Sequence, residues 1–143
     1  RLVLHEMILP RLQAFAPQVI VLQAGADSLL EDPLSRLALS NNAYVEALRA
    51  IRAMAPRLML LGGGGYNPWS VGRCWTLLWA ELSGQVVPDV LPASAQAVLA
   101  ALSWGGGGRP LPAPALLHSL RDAPREGAIR PELRERLAFL ARA

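Results

Sequence analysis

Two side chains that could take part in catalysis, Asp27 and Tyr66, each follow a short apolar segment of this 143-residue sequence. Asp27 lies in a loop of small residues after the run Gln18–Gln23, and Tyr66 follows four glycines after Leu58–Leu61. A carboxylate can bind a divalent metal ion, and a phenol hydroxyl can donate a hydrogen bond to a developing oxyanion. The two groups could therefore serve one hydrolytic site if the fold brings them together.

The segments before these side chains are predicted to be β-strands. Both runs are short and almost wholly apolar, which is typical of strands buried on both faces of a parallel sheet. The amphipathic pattern that begins at Ser40 and ends at about Ala55 predicts a helix between them, so residues 18–61 form one right-handed βαβ unit. Ligands bind at the carboxyl ends of such strands, where Asp27 and Tyr66 are expected to lie.

The four glycines Gly62–Gly65 leave the end of the second strand without side chains. The backbone there can adopt φ > 0 and lets another group approach closely. Asn67 as N-cap and Pro68 at the first helical position predict a helix up to about Leu82, with Gly84 beyond its end. We expect the large apolar residues of this helix to lie mostly in the core: Trp69, Val71, Trp75, Leu78, Trp79 and Leu82.

Three roles are open for Asp27: capping the next turn, binding a ribose, or binding a metal ion. A dinucleotide site fits poorly, because Asn67 stands where the GxGxxG pattern needs its third glycine and no P-loop ending is present. A metal site accounts for both Asp27 and Tyr66. A catalytic zinc ion ordinarily has three protein ligands, however, and His5 and His118 lie in helical segments away from both strand ends.

The composition argues against a membrane protein, a nucleic-acid-binding protein and a disulfide-bonded protein. The chain is 52% hydrophobic, and it has no apolar run near the roughly 20 residues of a membrane span. Its net charge of +3 comes from 14 scattered arginines, so no nucleic-acid-binding surface is expected. The single Cys74 excludes an internal disulfide and suits a reducing cytoplasm. The helical pattern Leu2–Phe15, which Pro10 is expected to break or bend, suggests that the natural chain begins further upstream.

The last third of the sequence carries no candidate catalytic residue. Prolines and glycines separate short helical segments near Ala93–Leu102 and Pro114–Leu120 from a last predicted helix, roughly Pro131–Ala141. Gly105–Gly108 follow no strand and are interpreted as a flexible connection.

Several motifs occur in one order and at spacings that resemble the zinc-dependent histone deacetylase family. They extend from about Phe15 to Leu82 and comprise Val19–Leu29, Asp32-Pro33-Leu34, Leu60–Tyr66 and Arg73–Thr76. Asn67–Ser70 and Trp75–Trp79 are most similar to the bacterial acetoin-utilisation-type branch of that family.

The resemblance implies an α/β fold of the arginase/deacetylase type, a parallel sheet with helices on both faces. It also implies hydrolysis of acetyl-lysine or a similar small N-acetylated amine by a Zn²⁺ enzyme. Asp27 matches an aspartate zinc ligand, and Tyr66 matches the tyrosine that binds the substrate carbonyl and the oxyanion. Gly64 and Gly65 match glycines beside the acetyl pocket, and Leu34 matches a residue of the substrate tunnel wall.

One departure from the family pattern is large, because the paired histidines and the Asp-x-His zinc motif, which lie nearer the N-terminus in the family, are absent. We therefore interpret residues 1–84 as the C-terminal part of a deacetylase core and residues 85–143 as its irregular helical C-terminal wrap. The expected partners are the acetylated substrate and the missing N-terminal part of the domain, with neither membrane nor nucleic acid bound. By itself the chain is expected to be inactive. The alternatives are an inactive truncated remnant, or an anion-binding module that uses the amides of Gly62–Gly65.

Overall fold

The computed structural model describes residues 1–34, 36–104, 112–125 and 127–140. The interpretation of Gly105–Gly108 as a flexible connection concerns residues outside these ranges. The elements in chain order are a π-helical turn Leu4–Ile8, α1 Leu9–Phe15, β1 Ile20–Gln23, a 3₁₀ turn Ala26–Ser28, α2 Asn41–Arg52, β2 Leu58–Leu61, α3 Pro68–Ser83, α4 Ala93–Ala101, α5 Ala115–His118 and α6 Pro131–Leu140.

The predicted βαβ unit is confirmed. β1 and β2 pair in parallel, with Ile20 opposite Leu58 and Gln23 opposite Leu61. β2 has the predicted bounds, whereas β1 begins two residues later than predicted. The parallel pairing places the carboxyl ends of both strands at one edge of the sheet.

The core lies on the side of the sheet that packs against α2 and α3. Its buried residues are Ala24, Ala26, Leu29, Val45, Leu48, Cys74, Leu77 and Leu78, with Leu22, Leu58 and Leu60 packed against them. On the other face of the sheet, Val21 is 59% and Met59 is 56% exposed. These side chains are apolar although water reaches them. Apolar side chains at such positions are typical of a strand that is buried on both faces. The sequence is therefore suited to packing against another element on this face of the sheet as well.

The expectation that the large residues of α3 are mostly core is wrong for two tryptophans. Trp69 and Leu78 are buried, but Trp75 is 36% and Trp79 is 62% exposed. The buried stripe of α3 follows helical spacing on the side facing α2, and Trp75 and Trp79 lie outside this stripe. Hydrophobicity alone did not separate the two faces, because both carry apolar residues.

Two helix ends differ from their predicted form. Pro10 does not end the first helical segment: a π turn with Leu9 N–H bonded to Leu4 O precedes it, and an α-helix continues to Phe15. Ser40 takes the N-cap position of α2, but its side chain makes no capping hydrogen bond. The Asn41 N–H donates instead to Asp122 Oδ2 over 2.7 Å. Among the described residues, no helix has the length and apolar character needed to cross a membrane.

Cys74 provides a test of core packing. The side chain is fully buried, and this burial raises the pKa of the thiol to about 12. We expect the folded chain to react negligibly with a thiolate-directed reagent at pH 8 and the urea-unfolded chain to react promptly, because a free thiol ionises at about 8.5. Because the thiol ionises more readily in the unfolded chain, the free energy of unfolding does not depend on Cys74 below pH ~8.5 and falls as pH rises from there towards 12. Prompt stoichiometric labelling of the folded chain at pH 8 would contradict this packing.

Candidate functional site

The loops that follow β1 and β2 are hydrogen-bonded to each other. Ala24 N–H donates to Leu61 O over 2.9 Å, and Ala26 N–H donates to Gly64 O over 2.6 Å. The pairing of the strands therefore continues past their ends. This continuation places Asp27, in the 3₁₀ turn, beside the glycine run.

The glycine run allows the close approach that the sequence predicts. A Cβ atom on Gly64 would lie 2.2 Å from Asp27 Oδ2, and one on Gly63 would lie 2.2 Å from Gln23 Nε2. Gly65 has φ of +143°, a conformation that L-residues rarely adopt. Any side chain at Gly64 would displace the Asp27 carboxylate, so the glycine and the acid are mutually adapted.

Tyr66 is held through its backbone by Asp32, a buried acid that the sequence indicated only as part of the Asp32-Pro33-Leu34 motif. Asp32 Oδ2 accepts a 2.7 Å hydrogen bond from Tyr66 N–H, and Asp32 Oδ1 accepts one of 2.9 Å from Leu34 N–H. Asp32 is buried, whereas the side chains of Tyr66 and Leu34 are exposed. One carboxylate therefore links the predicted tunnel-wall residue and the predicted oxyanion donor. An Asp-Pro sequence is typical of a turn, which accounts for the local bond from Leu34 N–H, whereas the bond from Tyr66 N–H has no local signal in the sequence.

The start of α3 fixes the other side of the glycine run. As predicted, Asn67 caps the helix: its Oδ1 accepts from Trp69 N–H at 3.1 Å and from Ser70 N–H at 3.2 Å. Asn67 Nδ2 also donates to Glu31 O over 3.1 Å. The glycine run and Tyr66 therefore lie between β2 and a well-capped helix.

Trp75 contacts the loops after both strands, a role that the sequence did not predict. Its Nε1–H donates to Ala24 O over 2.8 Å. A Cβ atom on Gly62 would lie 3.2 Å from the Trp75 ring, so the indole packs directly against the start of the glycine run. The half-exposed tryptophan thus connects the ends of both strands.

The described residues do not complete a zinc site. Among them, no group of three His, Cys, Asp or Glu side chains is placed to hold a metal ion. His5 Nε2 lies 3.4 Å from Glu46 Oε1, and His118 Nδ1 lies 2.6 Å from Gln96 Oε1. Asp27 can supply one ligand, but one carboxylate does not fit a catalytic zinc ion.

Comparison with protein families gives a match over more than half of the chain. A family model described as the histone deacetylase domain matches residues 1–82. The matched range includes both strands, Asp27, the glycine run, Tyr66 and most of α3.

Curated relatives match over the same part of the chain. The chain is 45% identical over 78 residues to "Putative histone deacetylase 2" of Caenorhabditis elegans, a match that covers 54% of this chain and 15% of the relative. It is 41% identical over 81 residues to "Histone deacetylase 7" of Arabidopsis thaliana, covering 57% of this chain and 20% of the relative. The chain thus corresponds to a small part of these proteins.

Solved structures match nearly the whole chain. A histone deacetylase homologue from Aquifex aeolicus is 36% identical, with a TM-score of 0.85, and the match covers 99% of this chain and 38% of that one. A homologue complexed with SAHA gives a TM-score of 0.86 at 36% identity, covering 98% of this chain and 37% of that one. The chain therefore has the arginase/deacetylase-type α/β fold over the region that it shares with these structures.

Proposed function

Because the chain belongs to the histone deacetylase domain family, we propose that it is part of a zinc-dependent amidohydrolase that removes acetyl groups from acetyl-lysine or a small acetylated amine. One observation carries this proposal. The segment that matches the family places the Asp27 carboxylate against Gly64, at the edge of the sheet where the glycine run leads to Tyr66.

Each residue of the site has a separate role in this proposal. Asp27 contributes one metal ligand, and the Tyr66 hydroxyl donates a hydrogen bond to the amide carbonyl, whose oxygen gains negative charge during hydrolysis. Gly64 and Gly65 lie beside the acetyl group, as their match to the family's glycines implies. The exposed Leu34 side chain lines the path by which the acyl-lysine chain enters.

The rest of the domain supplies what the described residues lack. The chain covers 38% of the Aquifex aeolicus homologue, and the sheet exposes Val21 and Met59 on its open face. We propose that residues 1–84 form the C-terminal part of the core and that residues 85–143 wrap over it. In this proposal the N-terminal part covers the open face and adds the other zinc ligands and the general base. The chain alone is then inactive.

The branch of the family and the cellular compartment are further proposals. Asn67–Ser70 and Trp75–Trp79 support an acetoin-utilisation-type bacterial deacetylase. The single buried thiol of Cys74 is consistent with a reducing cytoplasm. The anion-binding alternative is less favoured, because the Asp27 carboxylate lies against Gly64 and would repel an anion there.

Replacing Asp27 by Asn tests the metal role. The complete domain is this chain together with the N-terminal part proposed above. In it, Asp27→Asn should lower the zinc affinity and the activity, because a neutral amide oxygen is a weaker ligand for a divalent cation than a carboxylate. Part of the activity should return at higher zinc concentration. Asp89→Asn, a matched change at another exposed aspartate, should alter neither quantity. Bound zinc and kcat are measured for both variants. Unchanged zinc affinity in Asp27→Asn would refute the ligand assignment, and a wild-type domain without deacetylase activity would refute the proposed function.

A further inference from the structure

Tyr44, in the first half of α2, reaches the loop that carries Asp27. Its hydroxyl donates to Gly25 O over 2.5 Å, and the hydroxyl oxygen of Tyr44 is also hydrogen-bonded to Ser28 Oγ. Gly25 and Ser28 lie on either side of Asp27 in the chain. One phenol therefore holds both ends of the short turn on which the carboxylate stands.

The directions of the two hydrogen bonds follow from the number of protons. A phenol has one proton, and Gly25 O can only accept, so the Tyr44 proton is directed to Gly25. The Ser28 hydroxyl must then donate to Tyr44 Oη. Burial raises the pKa of the Tyr44 phenol further above its usual range, so the hydroxyl keeps its proton at neutral pH.

The helix that carries Tyr44 is well anchored. Val45 and Leu48 are buried in the core cluster, on the helix that presents Tyr44 to the loop. The bidentate ion pair of Arg49 with Glu81 further joins α2 to α3. The Tyr44 hydroxyl therefore connects the loop that carries Asp27 to a helix that is anchored in the core.

Ala26 and Leu29, on either side of Asp27, are buried in the core and anchor the loop on one side. A cavity of about 320 Å³ lies between the loop and α2. Its lining includes Gly25, Ser28, Tyr44 and Leu48, so side-chain packing between this side of the loop and α2 is incomplete. The Tyr44 hydrogen bonds set the distance between the two across this space.

We propose that Tyr44 is a positioning residue, which fixes the Asp27 turn against Gly64 by holding Gly25 and Ser28. This inference rests on the proposed function for its consequence in catalysis, although the hold on the loop is a property of the fold. Tyr44 touches neither the substrate nor the reacting atoms in this arrangement. It acts through the position of Asp27.

The test compares Tyr44→Phe with Ile51→Val in the complete domain. Tyr44→Phe removes only the hydroxyl, and Ile51→Val removes one buried methyl group near the other end of the same helix. Amide exchange at Ala26 and Leu39, whose N–H groups bond to Gly64 O and Ser28 O, reports on the loop. Tyr44→Phe should speed exchange there by at least roughly 3- to 10-fold, the range expected for one lost hydrogen bond, because the substitution removes both hydrogen bonds of the hydroxyl. Its kcat should fall by roughly 10- to 100-fold with little change in KM.

Ile51→Val should lower the thermal midpoint without a selective change in the loop or in kcat. If Tyr44→Phe behaves in the same way, or leaves both readouts unchanged, Tyr44 is a packing residue and the proposal fails. If Tyr44→Phe does not fold, Ser28→Ala tests the same hold: selective loosening of the loop supports the proposal, and its absence overturns it. If the wild-type domain shows no deacetylase activity, the proposed function fails, and the exchange measurement alone decides whether Tyr44 holds the loop.

Discussion

Replacing Tyr66 by Phe in the complete domain is expected to lower kcat by roughly 10²- to 10³-fold, which corresponds to about 2.7–4 kcal/mol for one lost oxyanion donor. The substitution removes only the hydroxyl. The Tyr66 backbone should stay in place, because its N–H donates a hydrogen bond to the buried Asp32 carboxylate. This hydrogen bond does not involve the side chain, so the substitution leaves it intact. Since the ring is half exposed, little packing is lost, and the stability and zinc content should stay near those of the wild type.

The measurement is kcat together with bound zinc, with Asp27→Asn assayed beside it. Added zinc should restore part of the activity of Asp27→Asn and none of the activity of Tyr66→Phe. Trp79→Phe, a change at another exposed aromatic residue, is the control and should keep full activity. If Tyr66→Phe keeps most of its kcat, the hydroxyl does not stabilise the transition state and the mechanistic assignment is wrong.

The largest expected effect on stability concerns a buried ion pair that joins three segments of the chain. The Arg73 guanidinium on α3 is buried, with Nη2 2.9 Å from Asp122 Oδ1 and Nε–H donating to Ser119 O over 2.7 Å. Asp122 Oδ2 also accepts from the first N–H of α2, at Asn41, over 2.7 Å. Asn41 returns the contact, since its Oδ1 accepts from Asp122 N–H over 3.0 Å. One carboxylate thus neutralises a buried cation and caps a helix.

Asp122→Ala should therefore lower the free energy of unfolding by about 3–5 kcal/mol, because it leaves the buried Arg73 charge without a partner. Loss of the cap on α2 adds to the effect. Glu81→Ala is the matched control: it also breaks an arginine–carboxylate pair, but Arg49 is exposed, and such surface pairs contribute about 0–1 kcal/mol. Urea unfolding measures both variants. Equal losses would show that the Arg73–Asp122 pair contributes no more than a surface contact.

Local patterns in the sequence determined much of the fold. The apolar run Leu58–Leu61 gave the correct strand bounds, because a buried parallel strand needs no polar residue along its length. Asn67, Pro68 and Gly84 gave the bounds of α3 within one residue, because capping chemistry acts within a few residues of a helix end. The ordered motifs also predicted the family, and the match to residues 1–82 confirms it.

Only the tertiary structure decided which polar groups meet across long separations. Asp32 holds the Tyr66 backbone, Tyr44 holds the Asp27 turn, and Asp122 replaces Ser40 as the side chain that caps α2. These partners are distant in sequence, and no periodicity relates them. Any of several loop carboxylates or hydroxyls could make such a bond. The choice among them depends on the packing of α2 and α3 against the strands, which brings one particular oxygen to each N–H or carbonyl group.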